Sequence, residues 1–180
     1  MKLLRIVKFF FLFLLGFVFL SCVPDVNNSD YQIVFSVEKY KAAKEKWENL
    51  NCSDYSFTYM ICADYGKSPL VQVTISDGKT SYQIMEGVYE SDSQEEDKKI
   101  LEDSEKFFSV ESLFNHIWAS YEEALEIADN PPEGLLSRNI KVSYDDESGI
   151  PLSIEIGGTW SELACGDWWS LNVEDFELLN

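Results

Sequence analysis

Apolar positions recur along this chain in two rhythms, steps of three and four residues and steps of two, and the changes between them mark its elements. Tyr40, Ala43, Trp47 and Leu50 stand at helical spacing with Lys and Glu between them, which predicts an amphipathic helix over about Val37 to Leu50. Asn51, Ser53 and Asp54 then break it. Tyr55-Ser56-Phe57-Thr58-Tyr59-Met60-Ile61-Cys62 alternates aromatic with polar residues, the mark of a half-buried strand. Val71, Val73 and Ile75 alternate in a second strand. Asp77-Gly78 then signals a two-residue hairpin, because Gly tolerates the positive φ such turns demand, and Lys79–Met85 returns as a third strand.

The second half repeats this plan coarsely. Ser109 is an N-cap residue, with Glu111 in the first turn where the helix dipole favours an acid. Val110, Leu113, Phe114, Ile117, Trp118, Tyr121, Leu125 and Ala128 mark one face, and Asp129-Asn130-Pro131-Pro132 ends the helix. His116, the single histidine, falls on the flank of that stripe and reads as solvent-facing. Ile140, Val142 and Tyr144 form a strand, Asp145–Gly149 a turn, and Leu152, Ile154 and Ile156 the returning strand, which Gly157-Gly158 breaks. A loop holding Trp160, Cys165, Trp168 and Trp169 leads into a last strand over Leu171–Leu178. The pattern predicts an α+β domain, an antiparallel sheet of about six strands with two main helices packed on one face.

The first 22 residues change the picture of where this domain works. Lys2, Arg5 and Lys8 precede an apolar run from Phe9 to Leu20, and the small residue Ser21 follows, which are the parts of a secretory signal. The run is shorter than the roughly 20 residues of a membrane-spanning helix. Phe19-Leu20-Ser21-Cys22 resembles a bacterial lipobox, with Phe19 where Leu is usual. That resemblance implies cleavage after Ser21, lipid attached to Cys22, and a domain held to a membrane outside the cytoplasm. The expected organisation is residues 1–21 as signal, 22–30 as a polar tether and 31–180 as one domain, with an acidic insertion at 86–105. That insertion holds nine acids against Lys98 and Lys99.

Charge narrows the partners. Removing the signal takes three of the 14 basic residues and none of the 32 acidic ones, leaving a net charge of −21. Such a surface repels nucleic acid and anionic lipid headgroups, so attachment falls to the anchor. Acidic partners are poor candidates; cations, basic proteins and neutral glycans remain open.

Candidate chemistry is sparse. Cys52, Cys62 and Cys165 permit one bridge and one leftover thiol. Strand parity favours Cys52 with Cys165: if the first strand runs up and the second helix returns downward, both lie at the lower end and Cys62 at the upper. Asp145, Asp146 and Glu147 offer oxygen ligands in a turn, a faint calcium candidate without the spacing of a calcium loop. Trp160, Trp168 and Trp169 form a candidate ligand platform, with Trp168 and Trp169 pointing to opposite faces. No nucleophile elbow, zinc-protease helix or phosphate loop occurs in the sequence, and no cofactor is expected.

Trp47, Tyr55-Ser56-Phe57-Thr58-Tyr59, Val71–Gly78, Ser109–Phe114 and Val142-Ser143-Tyr144-Asp145 with Gly149-Ile150-Pro151-Leu152-Ser153-Ile154 together resemble a family of small secreted or lipid-anchored bacterial domains of unknown function. The resemblance runs from about Lys44 to the C-terminus and implies an antiparallel sheet packed by helices. It transfers no functional residue. The expected function is a non-enzymatic envelope module that binds a partner or supports the envelope; the alternative is an envelope hydrolase of unidentified type.

Overall fold

The predicted alternation becomes a sheet in a computed structural model that describes residues 31–63, 66–67, 70–85, 107–161 and 168–179. The elements run β1 (Gln32–Val34), α1 (Val37–Leu50), β2 (Tyr55–Ala63), β3 (Gly66–Lys67), β4 (Val71–Ser76), β5 (Lys79–Ile84), α2 (Val110–Ala128), β6 (Leu135–Tyr144), β7 (Pro151–Trp160) and β8 (Trp169–Leu178). Seven strands lie in the order β1-β6-β7-β8-β2-β4-β5, with the two-residue β3 beside β2. Every pairing is antiparallel except β1 with β6. Tyr31–Asn180 form one compact unit.

The α+β class holds, and the count of six strands does not. The six expected strands are joined by β1 and β3, whose two or three residues are too few to show a period. β7 also runs straight through Gly157-Gly158, where a break was expected. Asn139 and Arg138 of β6 stand opposite those glycines, so the ladder carries the strand past them.

Alternation decides what is buried. Tyr55, Phe57 and Tyr59 of β2, Val71, Val73 and Ile75 of β4, and Leu171 and Val173 of β8 enter one core with Tyr40, Ala43 and Trp47 of α1. From α2, Val110, Leu113, Phe114, Ile117 and Ala124 join them. Leu125, expected on the buried stripe, is exposed, and Ala124 takes the inward place. Burial of this kind, at roughly 25 cal/mol per Å² of apolar surface, is the main source of stability.

Both helices begin as the sequence predicts. Ser36 caps α1 by accepting from the Lys39 N–H. Ser109 and Ser112 cap α2 reciprocally, each side chain accepting from the other's backbone N–H. β8 contains an irregularity. Ser56 pairs with Glu177 and Thr58 with Glu174, so two residues, Asp175 and Phe176, stand opposite Phe57 alone. Asp175 takes φ 49°, and beyond this bulge the inward phase passes to Phe176. Phe176 accordingly meets the rings of Trp47 and Tyr55 at 6.1 and 5.9 Å.

Candidate functional site

The most concentrated polar chemistry lies where α1, α2 and β2 meet, and it is consumed internally. The Trp47 indole N–H donates to Glu111 Oε1 at 2.9 Å, and the Tyr55 hydroxyl donates to Glu111 Oε2 at 3.1 Å. The Tyr55 oxygen in turn accepts from the Val110 N–H at 3.2 Å. Burial holds the Tyr55 phenol protonated far above its ordinary range. One carboxylate thus ties both helices to the sheet. Cys52 lines the recess of about 460 Å³ beside this brace. Burial, with Glu111 and Asp54 nearby, pushes its thiol up, the opposite of what a nucleophilic cysteine needs.

The acidic turn is equally occupied. Asp145 Oδ1 accepts from the backbone N–H groups of Glu147 and Ser148 at 3.1 and 2.7 Å and from the Ser148 hydroxyl at 2.7 Å. These bonds, the Ser148 N–H above all, hold its carboxyl below the usual carboxylate range. Asp146 and Glu147 are exposed. Among the described residues, no three His, Cys, Asp or Glu side chains converge as a metal site.

The three tryptophans do not form one platform. Trp169 lies against Phe107, ring centroids 5.3 Å apart, and edge-on to His116 at 5.1 Å. Trp168 is 44% exposed and Trp160 is half-buried at the far end of β7, opposite Leu135. Ile156, not Trp160, stands opposite Trp169, so Trp160 overhangs that register by four residues. The expectation that His116 faces solvent is overturned. It is half-buried, with the Phe107 ring 5.0 Å away and nearly perpendicular. Phe107, outside the helical stripe, supplies that cover.

Cys22, the signal, the tether, the insertion at 86–105 and Cys165 lie outside the described residues, and the expected Cys52–Cys165 bridge with them. The parity behind that pairing is altered by the register. Trp169 at the start of β8 stands opposite Ala63 and Ser170 opposite Cys62, so the chain enters β8 at the Cys62 end of β2. Cys52 lies beyond the other end of β2.

Among the recesses of the described residues, one of about 430 Å³ forms a groove at the end of the sheet that carries the β6–β7 turn. Leu50 comes from the last residue of α1, Ile150 and Leu152 from the turn and β7, and Phe176 and Leu178 from β8 beyond its bulge. Leu50, Leu152 and Leu178 are 38%, 37% and 49% exposed. Asp145 and Glu147 stand at the groove's margin. The wall is fixed by Gly149, at φ 78°, whose missing Cβ would fall 2.1 Å from the Ala43 carbonyl oxygen. Lys46 Nζ donates to the Asp146 carbonyl at 2.7 Å and holds the turn to α1. β1 lies away from this groove, since Gln32 pairs with Ser137 near the start of β6. Sequence reading missed the groove, because its leucines read as ordinary periodic positions.

No curated protein and no solved structure matches the chain. Over residues 39–178 it matches the model of a family described as "Family of unknown function (DUF6174)", and the chain therefore belongs to that family.

Proposed function

We propose that this protein is a lipid-anchored envelope module that works by binding a protein partner rather than by catalysis. Signal cleavage after Ser21 leaves Cys22 as the lipid acceptor, and several acyl chains make such attachment stable. In this reading both helices cover one face of the sheet, and the end groove receives the partner.

One observation carries the binding reading. The carboxylates of Glu111 and Asp145 are spent on the fold, whereas Leu50, Leu152 and Leu178 stay exposed around a single concavity. Scattered surface leucines need no explanation, but leucines gathered around one recess mark an interaction site.

Two measurements test it. Fatty-acid label is expected to enter the wild-type protein in bacterial cells and to be lost in Cys22→Ser; label in that variant contradicts the anchor. A photo-crosslinking amino acid at position 178 is expected to give a discrete adduct in intact cells. The same group at the exposed Tyr82 serves as the comparison. Equal adducts at both positions, or none at 178, contradict the groove.

A further inference from the structure

We infer that the groove takes a partner segment bearing bulky apolar side chains flanked by lysine or arginine; this rests on the binding reading above. The apolar part follows from the lining, since Leu50, Ile150, Leu152, Phe176 and Leu178 present hydrocarbon. A recess of about 430 Å³ admits a few side chains and no more.

The basic flanks follow from the negative potential around the groove. Asp145 and Glu147 sit at the margin. α1 ends at Leu50 with no basic residue in its last turn, so beyond the Asn51 N–H on the Glu48 carbonyl no cation of that turn offsets the partial negative charge of its C-terminus. The nearest lysine along that helix, Lys46, sets its ammonium on the Asp146 carbonyl, where its charge offsets part of that of Asp145 and leaves Glu147 and the helix end as the net negative sources. Around these lies a chain with 32 acidic and 14 basic residues, whose field draws cationic segments and slows anionic ones. A second copy would bring the same acids face to face, and an anionic bilayer would be repelled in the same way. A basic segment relieves both.

The test uses the full lipidated chain in phosphatidylcholine nanodiscs, with empty discs as the blank. The probes are two fluorescent dodecapeptides sharing a Leu-Phe-Leu centre, one flanked by lysines and one by glutamates. The lysine peptide is expected to bind about tenfold or more tightly than the glutamate peptide at low salt, with the gap closing at high salt. Leu178→Asp and the milder Leu178→Ser are each expected to weaken it by about tenfold, and Glu147→Lys to narrow the gap between the peptides. Leu178 is already half exposed, so these variants keep the fold, which thermal melting verifies.

Equal binding of both peptides, lost in the Leu178 variants, overturns the charge inference and leaves the groove standing. Binding indifferent to position 178, or no binding of either peptide, overturns both.

Discussion

The β4–β5 turn at Asp77-Gly78 and the β6–β7 turn at Asp145–Ile150 both begin with aspartate and both hold a glycine at positive φ, 70° for Gly78 and 78° for Gly149. Their surroundings differ. A Cβ on Gly78 would meet nothing within 4 Å, whereas one on Gly149 would strike the Ala43 carbonyl and crowd Lys46 Cβ at 2.9 Å. Asp77 and Gly78 have consecutive positive φ between paired Ser76 and Lys79, a two-residue turn tied outside the hairpin through the Asp77 N–H, which donates to Asp54 Oδ1 at 2.7 Å. The second turn is longer, internally bonded through Asp145, and pressed onto α1. The same local chemistry thus serves in one place to reverse the chain and in the other to seat a hairpin against a helix. Only the second builds a wall of the groove.

The comparison is broken most directly at the glycines. Gly149→Ala combines the left-handed backbone penalty with a clash against backbone that cannot move aside, and is expected to cost about 3 kcal/mol or more in urea unfolding. Equal losses at Gly149 and Gly78 would mean that seating on α1 contributes nothing. Asp145→Ala removes the acceptor for two backbone N–H groups and one hydroxyl, an expected loss of about 1.5 kcal/mol.

That carboxylate also carries a pH signature. Its pKa is lowered in the fold, so its contribution is complete above the unfolded value of about 3.9 and fades as pH falls through the folded value. Asp145→Asn is expected to flatten this part of the acid dependence, read as urea midpoints between pH 5 and pH 2. Unchanged acid dependence would show that the turn draws nothing from the charge. Gly78→Ala meets only the backbone penalty, about 1 kcal/mol. The smallest effect has the opposite sign. The Tyr144 hydroxyl, just before the seated turn, is buried without a hydrogen-bond partner among the described residues. Tyr144→Phe keeps the ring against Phe114 and is expected to raise stability by less than about 1 kcal/mol, measured by thermal melting.

Legibility in the sequence followed the range of the forces involved. β2, β4, β5 and α2 were readable because each shows several turns of its own period, and the Ser109 cap because it is satisfied within three residues. β1 was not, since three residues carry no period and its partner lies a hundred positions away. Gly157-Gly158 misled because glycine weakens a strand locally, and pairing with β6 overrides that weakness. The Glu111 brace was half visible: its place in the first turn was evident, and its acceptance from Trp47 and Tyr55 depended on how α1 docks. The groove was least legible. Leu50 and Leu178 stand 128 positions apart in sequence, and only the register of β8 brings them to one recess.

The bulge at Asp175 works as a parity bit for the end of the chain. Upstream, inward positions are odd, Leu171 and Val173; downstream the inward position is even, Phe176, with the exposed Leu178 on the same face. Replacing Asp175 with Asn or Gly leaves this count intact, since both accept positive φ. Deleting it also keeps the phase, because Phe176 then follows Glu174 directly and stands alone opposite Phe57. A residue drawn into the ladder at that place would shift it: position 175 takes the inward phase, Phe176 turns outward, the rings of Trp47 and Tyr55 lose their neighbour, and the groove loses two of its five apolar walls. At this one site it matters less which residue sits in the bulge than that it stays out of the count.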